Sequence, residues 1–475
     1  MQEPRLLICS CEKTMSLDEA ALAKGCGKVS GRADQLCGAQ LDIFKALLAE
    51  PGPVTIACGQ EGALFTEVAE DIGATNPLTF ANIRETALWS DQSAHAGPKA
   101  AALIAAAREE MPPLSLVSLD SQGVILIYGR DESAIEAGRR LSDRLDVTVM
   151  LSQPGDVTPP SVRDFPIVKG HVRNAKGYLG AFELMVDDTA LPTPSSRDRL
   201  VFGASQNGAV STCDIILDLT NGTPLFPAYE LRPGYLRADP RDRGQFEKAI
   251  NDAAQLVGTF DKPRFVNFQE SLCAHSRSRI TGCTRCLDLC PTGAITPNGN
   301  HVAIDPQICA GCGACASVCP TGAASYALPA ADALMRRLKA LIGTYLEAGG
   351  LTPIILLHDG DHGAPLIDAL ARFSNGLPAN VLPLRVNEVT QVSPEVLAGA
   401  FAYGATGLAV LAHAKPKHDM TGLQNIGAMT ARIVEALGFG SNLIQIIETD
   451  DPDALRSALD AFAPGTPSPR PASFE

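Results

Sequence analysis

The chain has 475 residues, of which 45% are apolar and 19% are charged. This composition is typical of a globular protein with about three domains and argues against extended disorder. The formal net charge of −14 argues against binding to nucleic acid or anionic lipid, because both attract basic surfaces. No run reaches about 18 consecutive apolar residues, so we expect no membrane insertion.

The 14 cysteines are unevenly distributed along the chain. Five lie within the first 58 residues, Cys213 stands alone, and eight fall between Cys273 and Cys319. Disulfide-rich proteins are usually short and secreted, whereas this chain is long and its N-terminus lacks the pattern of a signal peptide. We therefore expect a cytoplasmic protein whose reduced cysteines bind metal.

Residues 1–112 are predicted to form an N-terminal α/β domain. Apolar runs at 5–9 and 53–58 are typical of buried strands, and residues 36–50 and 98–110 have the pattern of helices. The tandem prolines Pro112 and Pro113 mark the boundary, because they stop a helix.

Residues 113–262 are predicted to form a second domain around a parallel sheet. A helix at 132–145 lies between strands at 123–129 and 147–151, and this β-α-β order requires parallel strands. Residues 166–188 alternate in short runs typical of antiparallel strands. A buried strand is predicted at 213–219, in which Cys213 is interpreted as a core residue.

After a cysteine-dense region at 263–328, residues 329–463 predict a further α/β domain that begins with a helix at 330–346. Its strands are predicted at 353–357, 380–384, 407–411 and 443–448, and its other helices at 365–373, 394–403 and 423–437. Residues 464–475 contain four prolines and are predicted to form a loose tail.

The cysteine-dense region contains one complete and one incomplete run of iron–sulfur ligands. The complete run has the spacing C-x2-C-x2-C-x3-C-P, with cysteines at Cys309, Cys312, Cys315 and Cys319. In this spacing three thiolates hold one 4Fe–4S cluster and the fourth binds a second cluster. The incomplete run consists of Cys283, Cys286 and Cys290, with Cys273 as the nearest upstream cysteine. A zinc ribbon is the alternative, but one four-ligand zinc site leaves the second run unexplained.

Residues 265–326 resemble the two-cluster bacterial ferredoxins, including the Cys-Pro-Thr-Gly-Ala sequence repeated at 290–294 and 319–323. The resemblance implies an α+β ferredoxin domain over 263–328 with two 4Fe–4S clusters. It implies that one cluster is bound by Cys273, Cys283, Cys286 and Cys319, and the other by Cys309, Cys312, Cys315 and Cys290. The nine residues between Cys273 and Cys283, where ferredoxins have two, depart from the pattern.

The N-terminal cysteines either form a further cluster site or are separate free thiols. They follow predicted strands or lie in loops, at Cys9, Cys11, Cys26, Cys37 and Cys58. The sequences at 7–11 (LICSC), 36–38, 57–59 and 81–85, followed by Trp89, resemble the N-terminal domain of the flavin-containing subunit of heterodisulfide reductase over residues 5–110. The resemblance implies a third 4Fe–4S cluster, for which we predict Cys9, Cys11, Cys37 and Cys58 as ligands. The family has one more cysteine where this chain has Ala87, and Cys26 is an additional candidate.

In that family the next domain binds FAD through a glycine-rich turn that holds the diphosphate at a helix N-terminus. The corresponding segment here, 128–134 (YGRDESA), contains one glycine and two carboxylates. The end of the next strand, at 151–153, lacks the acid that usually binds the ribose, although 177–182 still resembles the family. We therefore predict a degenerate Rossmann-like flavin domain over 113–262 that serves as scaffold and does not bind FAD.

Residues 392–396 and 402–407 resemble the small hydrogenase iron–sulfur (delta) subunit, which implies a flavodoxin-like α/β domain over 329–463. That subunit binds a cluster through cysteines after its strands, and none of them is present here. Histidines stand close to the vacated positions, at His358, His362, His413 and His418, together with Asp361. They either bind a metal ion or are exposed loop residues at a surface that docks a redox partner, and we favour docking.

These features together predict an α/β multidomain iron–sulfur protein or subunit. It would relay electrons through two, and with the N-terminal site three, 4Fe–4S clusters to or from a partner oxidoreductase. One rival is a flavin-dependent, heterodisulfide-reductase-like oxidoreductase, which yellow flavin absorption would reveal. Another is an assembly or redox-sensing factor for a molybdenum or tungsten enzyme such as a formate dehydrogenase. No pairing of nucleophile and base predicts independent catalysis, and no motif specifies an oligomeric state.

Overall fold

Three β-sheets that contain parallel strands, each packed against helices, form the framework of the chain. The computed structural model describes residues 4–469, 471 and 472. These residues form two units: one combines the chain up to Pro113 with the chain from Cys312 onward, and the other is Leu114–Gly311. The expected mixed α/β class is thereby confirmed. None of the helices in the described residues combines the length and apolar character needed to span a membrane.

The N-terminal part of the first unit is a four-stranded parallel sheet with the strand order 2-1-3-4. In chain order its strands are Arg5–Cys9, Val29–Ala33, Val54–Ile56 and Leu78–Phe80. Its helices are Glu19–Cys26, Leu41–Leu48, Gly62–Asp71 and Gly97–Arg108, with one π-helical turn at Arg84–Leu88. Leu6, Leu7 and Ile8 are fully buried, because helices cover both faces of the first strand. The sequence predicted this strand, but it did not predict Val29–Ala33, which lacks an apolar run.

The C-terminal part of the first unit contains a second parallel sheet with the same strand order, which is that of the first four strands in flavodoxin-like sheets. Its strands are Ile354–His358, Val381–Arg385, Gly407–Ala412 and Ile444–Glu448. Its helices are Ala331–Glu347, Gly363–Phe373, Pro394–Tyr403, Thr421–Ala436 and Pro452–Asp460. The predicted bounds of the strands and of the first four helices agree with these to within two residues.

One pair of helices joins the two sheets of the first unit into a common core. The helix Gly97–Arg108 packs against Ala331–Glu347, and Ala102 and Ala106 share a buried cluster with Leu338. Small side chains on the first helix allow the two backbones to approach closely. Side chains from both parts of the unit can therefore line the same cavities.

A seven-stranded mixed sheet forms the core of the second unit. In spatial order its strands are Ala209–Cys213, Phe182–Ala190, Ile167–Lys176, Asp146–Leu151, Val124–Gly129, Ile215–Asp218 and Tyr235–Arg237. The last five are parallel, and the first two are antiparallel additions at one edge. The helices Glu132–Leu141 and Arg243–Ala254 pack on this sheet, beside a two-stranded ribbon of Leu116–Ser121 and Gly258–Pro263.

The single strand predicted at 213–219 is instead two strands that separate at Asp214. Its carboxylate accepts hydrogen bonds from the backbone N–H groups of Gln122 (2.7 Å) and Val124 (3.1 Å), which ends the antiparallel strand and starts the parallel one. Cys213 is buried in the core, as predicted, and burial raises the pKa of its thiol to about 12.

The described part of the tail predicted at 464–475 makes backbone hydrogen bonds to the sheet domain that precedes it. The N–H groups of Gly465 and Thr466 donate to the carbonyls of Thr406 and Phe439, each at 2.7 Å. Ala472 donates to the carbonyl of Ala402 at 2.8 Å.

Short elements form the cysteine-dense region. In the second unit they are the strand Val266–Phe268, the hairpins Ser276–Arg277 with Ile280–Thr281 and Ile295–Asn298 with His301–Ile304, and the helix Arg285–Leu289. In the first unit they are the helix Ala314–Ser317 and the strand Ala324–Tyr326.

Candidate metal centres

The four N-terminal cysteines predicted as ligands line one cavity of about 220 Å³. Cys9 is the last residue of the first strand of the N-terminal sheet, and Cys11 lies two residues after it. Cys37 and Cys58 follow the second and third strands. Because these strands are parallel, their carboxyl ends meet at one edge of the sheet, where ligands of α/β proteins usually bind. The parallel arrangement of the strands therefore brings four thiols together, although they are spread over 50 positions of the chain.

The loop that carries Cys9 and Cys11 has the hydrogen bonds that a thiolate ligand requires. The backbone N–H groups of Cys11 and Leu36 each lie 3.4 Å from Cys9 Sγ. Cys11, Glu12 and Lys13 all have left-handed backbone conformations, with φ of 49°, 57° and 65°. Three such residues without glycine are costly in free energy and are typical of ligand-binding loops held by their surroundings.

A charged network lies at the wall of this cavity. Arg84, at the start of the π-helical turn, donates from Nη1 to Cys11 Sγ at 3.3 Å and forms an ion pair with Glu85. Glu85 is buried, and Arg372 from the other sheet domain of the unit also pairs with it at 2.6 Å. Burial opposes the charge of Arg84, but hydrogen bonds to Glu85 and Cys11 outweigh it and raise its pKa. Both guanidinium groups lie against the Trp89 ring.

Cys26 and Ala87 do not line this cavity. The Cys26 thiol donates to the carbonyl of Ala101 at 3.1 Å, between the helices Glu19–Cys26 and Gly97–Arg108, and burial raises its pKa to about 11. Ala87 belongs to the π-helical turn and is buried in the core. Burial is also the main cause that raises the pKa of the Cys37 and Cys58 thiols. A bound cluster would hold these sulfurs as thiolates in the same place.

The segment between Cys273 and Cys283, which departs from the ferredoxin pattern, folds as a β-hairpin in the second unit. Ser278 and Arg279 form its turn with φ of 53° and 66°, the conformation of a type I′ turn. At its base, the carbonyl of His275 accepts hydrogen bonds from Gly282 (2.7 Å) and Cys283 (3.3 Å). The hairpin therefore closes on itself, and it brings the chain at His275 next to Cys283.

The repeated Cys-Pro-Thr-Gly sequence has the same local geometry in both units. Cys290 Sγ lies 3.8 Å from the hydroxyl of Thr292, and Cys319 Sγ lies 3.8 Å from that of Thr321. The glycines that follow, Gly293 and Gly322, both have φ of 68°. Burial opposes ionisation of Cys319, but N–H groups, including that of Ala324 at 3.4 Å, lower the pKa of its thiol. This environment stabilises a thiolate, the form that binds iron.

The buried Arg232 lies near Cys290 in the second unit, and the half-buried Lys262 lies near Cys309. Arg232 donates from Nη2 to the carbonyl of Thr292 at 2.6 Å, and Lys262 donates to the carbonyl of Gln307 at 2.7 Å. Burial lowers the pKa of both cations. Burial raises the pKa of the Cys309 thiol, and the charge of Cys290 also raises it. These positive charges would balance an anionic iron–sulfur cluster.

In the first unit, the helix Ala314–Ser317, which contains Cys315, packs against the 3₁₀ turn Val389–Gln391 of the C-terminal sheet domain. The Thr390 hydroxyl donates to the carbonyl of Cys312. Gly313 has φ of 77°, and a β-carbon there would lie 2.5 Å from Gln391 Cβ. Glycine at this position thus allows both the turn between Cys312 and Cys315 and the close contact with the domain.

The four C-terminal histidines separate into two places. Three of them line one small cavity: His362, His413 and His418. Asp450 Oδ1 lies 3.1 Å from His362 Nε2 and 3.2 Å from His413 Nδ1. His418 Nε2 lies 3.7 Å from Glu388 Oε2. His358 lines a different cavity, which is described below. Within the described residues, no three Cys, His, Asp or Glu side chains are arranged to hold a single metal ion. A 4Fe–4S cluster does not require that arrangement, because each of its cysteines binds a different iron.

The turn that corresponds to a flavin-binding loop is occupied by its own side chains. Asp131 caps the helix Glu132–Leu141, and its Oδ1 accepts a hydrogen bond from the N–H of Ser133 at 3.0 Å. Glu132 accepts one from the N–H of Thr158 at 3.1 Å. A diphosphate at this helix end would have to displace one carboxylate and lie beside another.

Residues 280–323 match the family model of the 4Fe–4S dicluster domain. The match begins after Cys273 and includes seven cysteines, the first at Cys283 and the last at Cys319. No match to the chain is found among curated proteins. The chain thus contains a ferredoxin-type dicluster domain, whose chemistry is iron–sulfur electron transfer and which implies a redox partner. The resemblances of its two ends to heterodisulfide reductase and to the hydrogenase delta subunit stay predictions.

Proposed function

We propose that this chain is an electron-transfer protein with three 4Fe–4S clusters, two in the dicluster region and one in the N-terminal cysteine cavity, and that it exchanges electrons with a partner oxidoreductase. The observation that carries the proposal is that Cys9, Cys11, Cys37 and Cys58 line a single cavity in a chain that also contains a dicluster domain. Four cysteine thiols are the donor set of a 4Fe–4S cluster.

In the dicluster region, two clusters require eight cysteines, and the matched segment provides seven. Cys273 is our candidate for the eighth, because the hairpin after it closes at His275 and Cys283. With this assignment one cluster is held by Cys273, Cys283, Cys286 and Cys319, and the other by Cys309, Cys312, Cys315 and Cys290. The clusters would supply one-electron redox centres, while the surrounding N–H groups and cations stabilise the thiolate ligands.

Iron and sulfide analysis of anaerobically purified protein tests the number of clusters. Three clusters require about 12 irons per chain, and two require about eight. Substitution Cys37→Ser changes an exposed cavity residue, so it should remove about four irons and one EPR signal without unfolding the protein. Cys26→Ser is the matched control, because Cys26 lies outside the cavity, and it should retain all irons.

The proposal of a third cluster fails if the unsubstituted protein contains only about eight irons, or if Cys37→Ser keeps about 12. A separate substitution, Cys273→Ser, tests the eighth ligand of the dicluster region. It should alter the EPR signal of one dicluster centre and leave the signal assigned to the N-terminal cluster unchanged.

A further inference from the structure

A second, larger cavity of about 290 Å³ lies in the first unit, away from the cysteines. It is at the carboxyl ends of Ile354–His358 and Val381–Arg385, the edge at which parallel sheets bind ligands. The helix Gly97–Arg108 and the helix Ala331–Glu347 provide further walls, so side chains from both sheet domains of the unit surround it. The dicluster domain and the N-terminal cysteines do not account for this cavity.

The lining of this cavity contains two arginines without counterions. Arg337 is half-buried, and among the described residues neither its guanidinium group nor that of Arg385 has an ion pair or a side-chain hydrogen bond. Burial and the nearby charge of Arg385 both lower the pKa of Arg337, so the two guanidinium groups lie within electrostatic range of each other. Asp368, the one acidic residue in the lining, has its pKa raised by burial. The cavity therefore has an excess of positive charge.

His358 adds a hydrogen-bond acceptor to this lining. It is 5% exposed, and its Nδ1 lies 2.8 Å from the carbonyl of Asp359, so Nδ1 carries the proton. Burial lowers the pKa of His358 to about 4; the hydrogen bond to Asp359 and the charge of Asp359 oppose this shift, and the charges of Arg385 and Arg337 add to it. The imidazole is consequently neutral at pH 7, and its Nε2 has a lone pair that no described residue uses.

We propose that this cavity binds a small oxyanion, with Arg337 and Arg385 as its charged donors and His358 as an acceptor for a hydroxyl of the ligand. Guanidinium groups match the geometry of phosphate and carboxylate oxygens, and a fixed pair of them needs an anion to offset its charge. Hydrogen phosphate and a hydroxycarboxylate both combine an anionic group with an O–H donor, so they share the required chemistry. The proposal of this site does not depend on the presence of the three proposed clusters.

Isothermal titration calorimetry of the full-length protein with inorganic phosphate and, separately, with malate tests the proposal. Chloride at matched ionic strength provides the baseline. Binding by either probe supports the site and identifies its class, phosphate or carboxylate. Substitution Arg337→Gln should weaken that binding roughly 10- to 100-fold, the value of one charge-assisted hydrogen bond.

Arg336→Gln is the matched control, because Arg336 is the neighbouring residue on the same helix but pairs with Asp332 at 2.8 Å outside the cavity. It should leave the affinity unchanged. If Arg337→Gln does not fold, Arg385→Gln provides the same test through an exposed side chain. The proposal is overturned if neither probe binds above the chloride baseline, if both cavity substitutions leave binding intact, or if Arg336→Gln weakens it equally.

Discussion

Arg84 should raise the reduction potential of the proposed N-terminal cluster, and its replacement by glutamine should lower it. The guanidinium lies 3.3 Å from Cys11 Sγ, and its charge favours the reduced, more negative cluster. With an effective dielectric constant of about 20 and a separation of about 6 Å from the cluster, the interaction is about 3 kcal/mol. For a one-electron couple this energy corresponds to about 120 mV, because a change of about 59 mV in potential corresponds to a tenfold change in the equilibrium constant. Because Arg84 is only half-buried, solvent screens part of this value, and we expect a decrease of about 40–120 mV.

An EPR-monitored redox titration of the signal that Cys37→Ser removes measures this shift. Arg84→Lys keeps the charge and should change the potential less than Arg84→Gln. Glu85→Gln removes a buried negative charge next to Arg84 and should shift the potential upward. An unchanged or higher potential in Arg84→Gln, with full iron content, would refute the electrostatic reasoning without affecting the proposal that a cluster is present.

Three other substitutions test the packing and charges described above. Lys99→Met should stabilise the protein by about 1–3 kcal/mol at pH 7 in chemical denaturation. Burial lowers the pKa of Lys99 well below 10.5, so the native state binds fewer protons than the unfolded state. The free energy of unfolding therefore rises with pH up to about 10.5. An equal rise with pH in Lys99→Met would contradict this. Gly313→Ala should destabilise the chain and lower its iron content, because the new methyl group would clash with Gln391. Gly299→Ala should have a smaller effect, because no atom lies within 4 Å of a β-carbon at that position. Arg232→Gln should lower the potential of one dicluster centre and leave the N-terminal signal in place; equal shifts of both would disprove a local effect.

The sequence predicted much of the fold because its strands are short apolar runs in a regular α/β alternation. The strands and the first four helices of the C-terminal domain lie within two residues of their predicted positions, whereas the helix Pro452–Asp460 was not predicted. Elements without such a pattern were not predicted: Val29–Ala33 has only one buried residue, Ala33, and Arg84–Leu88 is a π-helical turn. The single strand predicted at 213–219 is divided at Asp214 because an apolar pattern does not reveal that the chain changes its partner strand there, from Phe182–Ala190 to Val124–Gly129.

The cysteine sites and the anion cavity differ in how far sequence reasoning could reach them. Cysteine spacing is local, and the family match at 280–323 confirms the dicluster domain that it indicated. The anion cavity depends instead on Arg337 and Arg385, which have no motif and are brought together by the packing of a helix on a strand. The sequence placed four histidines at one edge of the C-terminal sheet. In the structure His358 lies in this cavity and His413 lies in another. The position of a residue at a strand end therefore predicted that it lies at this edge of the sheet, but it did not predict which side chains it contacts.

The two cavities of the first unit are close enough to influence each other electrostatically. Arg84 and Glu85 line the cysteine cavity, and Thr86, the next residue of the same π-helical turn, lines the anion cavity. The pKa of Asp368 in the anion cavity is raised by burial and then by the charge of Glu85. An anion bound beside Arg337 should therefore disfavour reduction of the N-terminal cluster and lower its potential by tens of millivolts.

This coupling must be reciprocal, because binding and reduction share one thermodynamic cycle. A decrease of about 30 mV on saturation with phosphate requires that reduction weaken phosphate binding about threefold. Redox titrations with and without phosphate, and calorimetry of the oxidised and reduced protein, measure the two sides of the cycle separately. In Arg337→Gln both effects should disappear together. A potential that responds to phosphate equally in this variant would show that the anion acts elsewhere on the protein.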